Sequence, residues 1–279
     1  MKVGEASTAT GGRVGSMREG VLDQKFLLMG EENSLSNYLL NVGRTGAGGW
    51  GTPRHRHTFD QIRYVLKGTY PVSKNMTMPE GSVAYFPESV HYGPQDRPEG
   101  LEMMVCQFGG ASGQGFLSPA QRETANAELA KKGTFKDGVY TYFDEDGRKH
   151  NKDGSEACYE YATGKKSAYA KPRYDSVILM EPDAYQWIPG REKGVWVKRL
   201  GTFTERNMRI GLTRIDQDAT FTAGTEDATE LLFLSKGAVS ISGRNHGERT
   251  AFEFLANEGP IPVKATAASE FLSIVLPKF

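Results

Sequence analysis

Short apolar runs, each bounded by turn-forming residues, constrain the fold of this chain more than any other feature. The 279 residues include 33 glycines and 13 prolines, and the apolar runs between them are typical of strands rather than helices. The runs before residue 116 are FLLM at 26–29, YLLNV at 38–42, IRYVL at 62–66, SVAYF at 82–86 and LEMMVCQF at 101–108. The sequence therefore predicts an all-β fold built from many short strands.

A helix and a hairpin interrupt the strand pattern between residues 117 and 173. Ser118 suits the N-cap, Pro119 the first helical position and Gly133 the C-terminal cap of a helix. An Asp-Gly turn at 146–147 then predicts a hairpin. Strand-like runs return from residue 174. We therefore expect a flexible arm at 1–20, a β-rich unit at 21–116, a connector at 117–173 and a second β-rich unit at 174–279.

The composition argues against several classes of partner. Lys plus Arg equals Asp plus Glu at 34 each, so net charge gives no reason to expect nucleic acid or an anionic membrane. No stretch approaches the roughly 18 apolar residues of a membrane span. Cys106 and Cys158 are too few for a disulfide framework, which favours a reduced, cytoplasmic setting.

Three of the five histidines lie in two motifs with regular spacing. In GWGTPRHRHTFDQIRYVLKG at 49–68, His55 and His57 are two residues apart and project to one face of a strand. Gln61 and Arg63 can project inward from the next strand. In GSVAYFPESVHYGPQ at 81–95, His91 can supply a third imidazole. Three nitrogen ligands with open positions are typical of a catalytic metal site.

These two stretches resemble the two motifs of the cupin superfamily. Residues 49–68 match the spacing of its first motif, although the usual metal-binding Glu is Gln61 here. In residues 81–91 the segment from Pro87 to His91 is one residue shorter than usual, and Ser89 stands where Gly is common. The resemblance implies double-stranded β-helix (cupin jelly-roll) barrels. It implies His55, His57 and His91 as metal ligands, as in three-histidine cupin dioxygenases, with Gln61 as a ligand or a hydrogen-bonding neighbour.

The second β-rich unit repeats the spacing without the histidines. Six residues separate Glu230 from Gly237, as they separate Gln61 from Gly68. Gly224 and Glu226 occupy the two histidine positions, and residues 247–279 contain no histidine. We therefore expect two barrels in tandem, the second a degenerate cupin with a structural or dimer-forming role.

Two other side chains are candidates for catalysis. Arg63 can clamp a substrate carboxylate, enolate or phenolate, or it can form a salt bridge to a nearby Asp or Glu. Tyr85 can line the cavity as an acid, base or hydrogen-bonding phenol, or it can be a core tyrosine. The predicted catalytic residues are thus Gln61, Arg63 and Tyr85.

Three functions fit these residues. The first is a non-haem Fe(II) dioxygenase that takes dioxygen and a small enolate- or phenolate-type substrate. The second is a non-redox isomerase or lyase, since Mn, Ni, Co, Cu or Zn can replace iron in a histidine site. The third is a barrel that binds a small ligand without turnover. The histidines could also be ordinary core or surface residues. The resemblance adds a homodimer as an expectation.

Overall fold

The computed structural model describes residues 1–14 and 20–279, so part of the expected arm lies outside the described residues. Antiparallel strands account for most of the fold, as the sequence predicts. Strands that precede the connector are β1 (Lys2–Glu5), β2 (Gly11–Val14), β3 (Gly20–Met29), β4 (Tyr38–Thr52), β5 (Phe59–Lys67), β6 (Tyr70–Ser73), β7 (Met76–Met78), β8 (Val83–Phe86), β9 (Gln95–Arg97) and β10 (Glu102–Gly109).

The connector holds two helices and three strands, more structure than the helix and hairpin that were expected. Its elements are α1 (Pro119–Ala130), β11 (Gly133–Lys136), β12 (Val139–Phe143), β13 (Lys149–Asp153) and α2 (Gly154–Thr163). Ser118 caps α1 in a capping box with Gln121, and β12 and β13 form the predicted hairpin. Gly133 opens β11 instead of capping α1 directly, since α1 ends at Ala130.

Eleven strands follow the connector, and all but the first of them build the second barrel. They are β14 (Ile178–Met180), β15 (Ile188–Pro189), β16 (Val195–Phe203), β17 (Met208–Ile215), β18 (Thr220–Ala223), β19 (Glu230–Lys236), β20 (Val239–Ile241), β21 (Arg244–His246), β22 (Thr250–Phe254), β23 (Ile261–Ala265) and β24 (Ser269–Val275), and a short 3₁₀ helix spans Pro182–Ala184.

The two barrels exchange edge strands. The large sheet of the first barrel has the order β14-β8-β5-β10-β4-β3-β2, and that of the second has the order β1-β22-β19-β24-β17-β16-β15. Strand β14 thus follows the connector but completes the first barrel, whereas β1 opens the chain but completes the second. Both exchanges cover sheet edges that would otherwise expose unpaired backbone groups. Residues 2–5 and 11–14 are strands, which differs from the flexible arm that was expected.

The large sheets pack face to face, and this packing decides which side chains point into each barrel. Ile62, Tyr64 and Tyr85 of the first sheet lie in one apolar cluster with Phe203 and Phe233 of the second. Because side chains alternate along a strand, the residues between them point into the barrel. The strands of both sheets are therefore buried on both faces, and their sequences are nearly continuous apolar runs.

The described residues contain no helix that is long and apolar enough to cross a membrane. Cys106 and Cys158 are both buried and free.

Candidate functional site in the first barrel

His55 and His57 lie side by side on the segment that joins β4 to β5. Their ring centroids are 4.9 Å apart, with the ring planes at 72°. His55 is buried and His57 is half-buried. The ring of His57 stacks on Phe59 at 4.5 Å, which fixes its orientation. The structure thus brings together the pair of imidazoles that the sequence predicts.

A backbone carbonyl orients the His55 ring. Nδ1 of His55 lies 2.7 Å from the carbonyl oxygen of Pro53. A carbonyl only accepts hydrogen bonds, so Nδ1 carries the hydrogen and the lone pair of the neutral imidazole is on Nε2. Metal-binding histidines are commonly oriented by the same kind of bond.

Tyr92, and not His91, faces the pair of histidines. His55 and Tyr92 are directly opposed: each backbone N–H donates to the carbonyl of the other at 3.0 Å. Opposed residues share a face of a β-structure, and the Tyr92 ring lies 4.4 Å from the His55 ring. His91 is exposed. Partial desolvation and the charges of Arg54 and Arg56 lower its pKa.

The structure does not bring His91 to the predicted metal site, and the physical reason lies in the segment after Pro87. His91 falls one residue short of the usual spacing of the second cupin motif, so Tyr92 occupies the inward position. Ser89 adopts a φ of 67°, the left-handed conformation that the usual glycine takes without strain. Its N–H donates to the His57 carbonyl at 2.7 Å, which sets the register of the segment.

Gln61 and Arg63 point into the barrel, as predicted, and both bind the Tyr92 hydroxyl. Nε2 of Gln61 donates to this oxygen at 2.9 Å, and Nη2 of Arg63 donates to it at 3.1 Å. Oε1 of Gln61 accepts from Arg63 at 3.0 Å and from Nε2 of Gln107 at 3.3 Å. Gln61 and Arg63 are 1% and 4% exposed, so this network lies inside the barrel.

Aromatic rings surround the Arg63 guanidinium. Its central carbon lies 4.3 Å from the ring centroid of Phe86 and 5.1 Å from those of Tyr70 and Tyr92. Such contacts favour a cation that has been removed from water. Arg63 therefore places a positive charge in the barrel beside neutral amides and rings.

Tyr85 lies on the opposite face of the sheet, between the two barrels. Its ring is 4.7 Å from that of Phe203, and its hydroxyl donates to Oδ2 of Asp60 at 3.1 Å. Oδ1 of Asp60 accepts the N–H of Glu88 at 2.7 Å, and burial raises the pKa of Asp60 to about 8. Tyr85, predicted to line the cavity, thus lies in the interface between the barrels.

The connector covers the mouth of the first barrel, a role that the sequence alone left open. A small cavity of about 20 Å³ separates His57 from α2 and the segment after it, which is room for about one water. Tyr159 and Tyr169 line its outer side, and the Arg56 guanidinium stacks 3.8 Å from the Tyr169 ring centroid. In the sequence, the connector stands out only by its mixture of polar and aromatic residues.

The donors around His55 and His57 differ from a three-histidine set but can hold a divalent transition metal. The described residues contain no group of three or more His, Cys, Asp or Glu side chains placed to hold a metal ion. Two imidazoles converge, however, and the Gln61 amide and Tyr92 phenol add oxygen donors nearby. Imidazole nitrogens suit Fe, Cu, Ni and Zn, and a neutral amide or phenol is a weaker ligand than a carboxylate.

Comparison with known proteins identifies the fold. No family model and no curated protein matches this chain. A candidate dioxygenase from Nostoc punctiforme PCC 73102 superposes with a TM-score of 0.63 at 10% identity, over 99% of this chain and 82% of that one. Oxalate decarboxylase from Bacillus subtilis, a protein with Mn(II) centres, superposes with a TM-score of 0.54 at 13% identity, over 100% of this chain and 78% of that one. At these identities the similarity establishes the fold alone: the chain consists of two jelly-roll barrels in tandem.

Proposed function

We propose that the first barrel is a metal-dependent enzyme site for a small anionic organic molecule, with His55 and His57 as the metal-binding pair. The observation that carries this proposal is the close approach of the two imidazoles, whose ring centroids are 4.9 Å apart, one of them oriented by the Pro53 carbonyl. A buried, hydrogen-bonded polar network adjoins them, and preorganised polar groups in a closed site are typical of catalysis.

The charges around the site favour an anionic substrate. The imidazoles, the Gln61 amide and the Tyr92 phenol are neutral donors, so a bound dication would keep its full charge. The Arg63 guanidinium adds a further positive charge to the same interior. A carboxylate, enolate or phenolate oxygen would balance these charges, and such groups also bind to guanidinium in a planar geometry.

Each residue of the first barrel has a separate task in this proposal. Arg63 binds and steadies the negative charge of the substrate, and Gln61 and Tyr92 hold its guanidinium in place. The side chains of the connector exclude water from the mouth, which strengthens the electrostatic interactions inside. A bound metal would supply a Lewis acid and a template for the substrate.

Two reaction classes follow, and we favour the oxidative one. A Fe(II) dioxygenase acting on an enolate or phenolate uses the neutral donor set and the open positions of the site, and the shared fold with the candidate dioxygenase supports it. A non-redox isomerase or lyase with Zn, Mn or Ni is the alternative, and the shared fold with the Mn(II)-containing decarboxylase supports a metal other than iron.

A specific observation favours ligand binding without turnover as a second candidate. His91 points away from the site, and the Tyr92 hydroxyl in its place is already bound to Gln61 and Arg63. A barrel with two imidazoles and a buried guanidinium can bind an anion without a metal.

Oxygen uptake and product formation separate these candidates. The protein would be loaded anaerobically with Fe(II), or with Mn(II) or Zn(II), and assayed with enolic and phenolic acids. Uptake of oxygen with iron supports the dioxygenase, and product without uptake supports the isomerase or lyase. Binding without product under all metals supports the third function.

A pair of histidine variants locates the activity. His57→Ala should abolish turnover, whereas His150→Ala removes an imidazole outside the site and should leave turnover unchanged. Full turnover in His57→Ala would rule out this site as the catalytic one.

A further inference from the structure

We propose that the second barrel holds a separate binding site for a small hydroxylated carboxylate. The sequence analysis assigned this barrel a structural role, because it lacks the histidines. Its interior nevertheless contains a cavity of about 520 Å³. This volume lies within the range of about 300–1,000 Å³ that is usual for small-molecule sites. Arg199, Thr202 and Thr225 are exposed at its mouth, so a ligand can enter from solvent.

Small residues on two adjacent strands, β24 and β17, line the cavity. Leu232, Ser273 and Gly211 form one cross-strand row through β19, β24 and β17. Ser273 and Gly211 leave the space open. The spacing of the two barrels places Leu232 at the position of Arg63, whose guanidinium packs among aromatic rings. At this position the second barrel thus has an apolar leucine in place of a guanidinium.

The cavity floor carries groups that hydrogen-bond to hydroxyls. Glu230 is 5% exposed, and its Oε2 accepts the N–H of Gly224 at 2.9 Å. Burial raises the pKa of Glu230 to about 7, so near neutral pH this carboxyl can donate as well as accept. The Thr213 and Ser273 side chains add hydroxyl groups. Paired donors and acceptors at this depth suit the hydroxyl groups of a ligand.

Guanidinium groups near the mouth supply the contact for a carboxylate. Arg209 is already engaged, since Nη2 donates to Oε2 of Glu226. Arg191 and Arg199 are exposed, and neither forms an ion pair with any residue in the described part of the chain. Glu192 uses one carboxylate oxygen to accept the N–H of Thr222 at 3.2 Å. Arginine binds carboxylates through paired hydrogen bonds, so a carboxylate ligand fits the mouth.

Isothermal titration tests this site with three hydroxylated carboxylates and one neutral sugar. The probes are D-glucuronate, D-gluconate and L-tartrate, with D-glucose as the neutral counterpart of glucuronate, all in EDTA to remove metal. We expect at least one hydroxylated carboxylate to bind and glucose to bind far more weakly. Arg199→Ala should weaken the carboxylate about tenfold, because a charge-assisted hydrogen bond is lost.

Arg244→Ala is the matched control, because Arg244 is an exposed arginine of the same barrel away from the cavity. It should bind the carboxylate as the wild type does. Ser273→Leu places an apolar side chain in the cavity and removes a hydroxyl, so it should weaken binding independently of charge. The proposal is overturned if none of the three carboxylates binds at millimolar concentration, if glucose binds equally well, or if Arg244→Ala weakens binding as much as Arg199→Ala.

Discussion

At the residue scale, the Tyr92 hydroxyl connects the groups that define the first site. It accepts hydrogen bonds from Gln61 and Arg63, both of which are buried. Removing it would leave two donors without this acceptor in a place that water does not reach. Buried polar groups that lose a partner cost about 1–3 kcal/mol of stability.

We therefore expect Tyr92→Phe to lower the free energy of unfolding by about 1–3 kcal/mol in urea denaturation. Tyr161→Phe is the control, since Tyr161 is 45% exposed and its hydroxyl can bond to water. Equal stability of Tyr92→Phe and the wild type would show that the hydroxyl does not hold the network.

The inward position of Tyr92 also marks the limit of what the sequence could predict about this site. The alternation of strand side chains placed His55, His57, Gln61 and Arg63 correctly, because they lie on or beside a regular strand. His91 follows Pro87 and Ser89 in a turn, where a count of residues does not decide which side chain faces inward. The one-residue shortening was visible in the sequence, but its consequence required the backbone pairing of His55 with Tyr92.

A second residue-scale prediction concerns the pH dependence of stability. The pKa of Glu230 is raised from 4.5 to about 7, mainly by burial, with Glu226 raising it further and the Gly224 N–H and Arg209 lowering it. Between these values the folded chain keeps a proton that the unfolded chain has lost. The unfolded state then binds fewer protons, so the unfolding free energy falls as pH rises through this window.

Over this window the titration of Glu230 lowers the free energy of unfolding by on the order of 3 kcal/mol. Urea unfolding between pH 4 and pH 8 should show the wild type losing more stability with rising pH than Glu230→Gln, which cannot titrate. Parallel pH profiles for the two proteins would contradict the raised pKa.

At the element scale, the faces of the strands explain why Tyr85 lies between the barrels and not in the first cavity. Tyr85 follows the same period of two as its neighbours, but the sequence did not indicate which face of β8 meets the second barrel. Ala84 and Phe86 point into the first barrel, so Val83 and Tyr85 pack between the sheets. Where both faces of a strand are apolar, the pattern alone cannot assign them.

In the connector, the sequence predicted the start of α1 but not that of α2. Ser118 and Pro119 marked the start of α1, because capping depends on neighbouring residues. Asp153 and Gly154 are an Asp-Gly pair like that at 146–147, but Asp153 caps α2: its Oδ1 accepts the N–H of Ser155 at 2.9 Å. An aspartate before a glycine suits either structure, and only tertiary packing decides between them.

The cap of α1 gives an element-scale prediction. The Ser118 hydroxyl accepts the N–H of Gln121 at 3.1 Å, and the Gln121 side chain returns a bond to the Ser118 N–H. Ser118→Ala should cost about 1 kcal/mol in thermal or urea unfolding, and Ser118→Thr, which keeps the cap, should cost less. Equal losses for the two variants would mean that the hydroxyl bond is not what stabilises the helix start.

At the scale of the whole molecule, an ion-pair network joins the barrels around Arg173. Nη1 of Arg173 lies 2.7 Å from Oε1 of Glu88, and Glu88 is 3% exposed. The same guanidinium binds the exposed Glu205 of the second barrel at 2.6 Å. Together with the exchange of β1 and β14, this network ties the two barrels into one structure.

Arg173→Met keeps the apolar stem but leaves the Glu88 carboxylate buried without its cation. We expect a loss of about 3 kcal/mol in the free energy of unfolding, because an uncompensated buried charge is costly. Glu205→Ala removes an exposed partner of the same arginine and should cost about 1 kcal/mol or less. A loss in Arg173→Met no larger than that in Glu205→Ala would show that the pair with Glu88 does not stabilise the molecule.

The strand pattern predicted two β-rich units and their order, since short punctuated runs depend on local sequence, and the resemblance to cupins implied that each unit is a barrel. They did not predict the strand exchange or the cavity of the second barrel. The strand at 2–5 is polar, and it is a strand because it pairs with β22, which is about 250 residues later in the sequence. The cavity arises from small residues on different strands, which no local window brings together.

The most direct test of the first site is the metal content of three proteins purified without chelators: the wild type, His57→Ala and His91→Ala. The wild type and His91→Ala should both retain near-stoichiometric metal by elemental analysis, and His57→Ala should lose it. If His91→Ala loses as much metal as His57→Ala, His91 is a ligand and the arrangement around Tyr92 is not that of the metal-bound protein. If none of the three binds metal even after reconstitution, the first barrel is not a metal site.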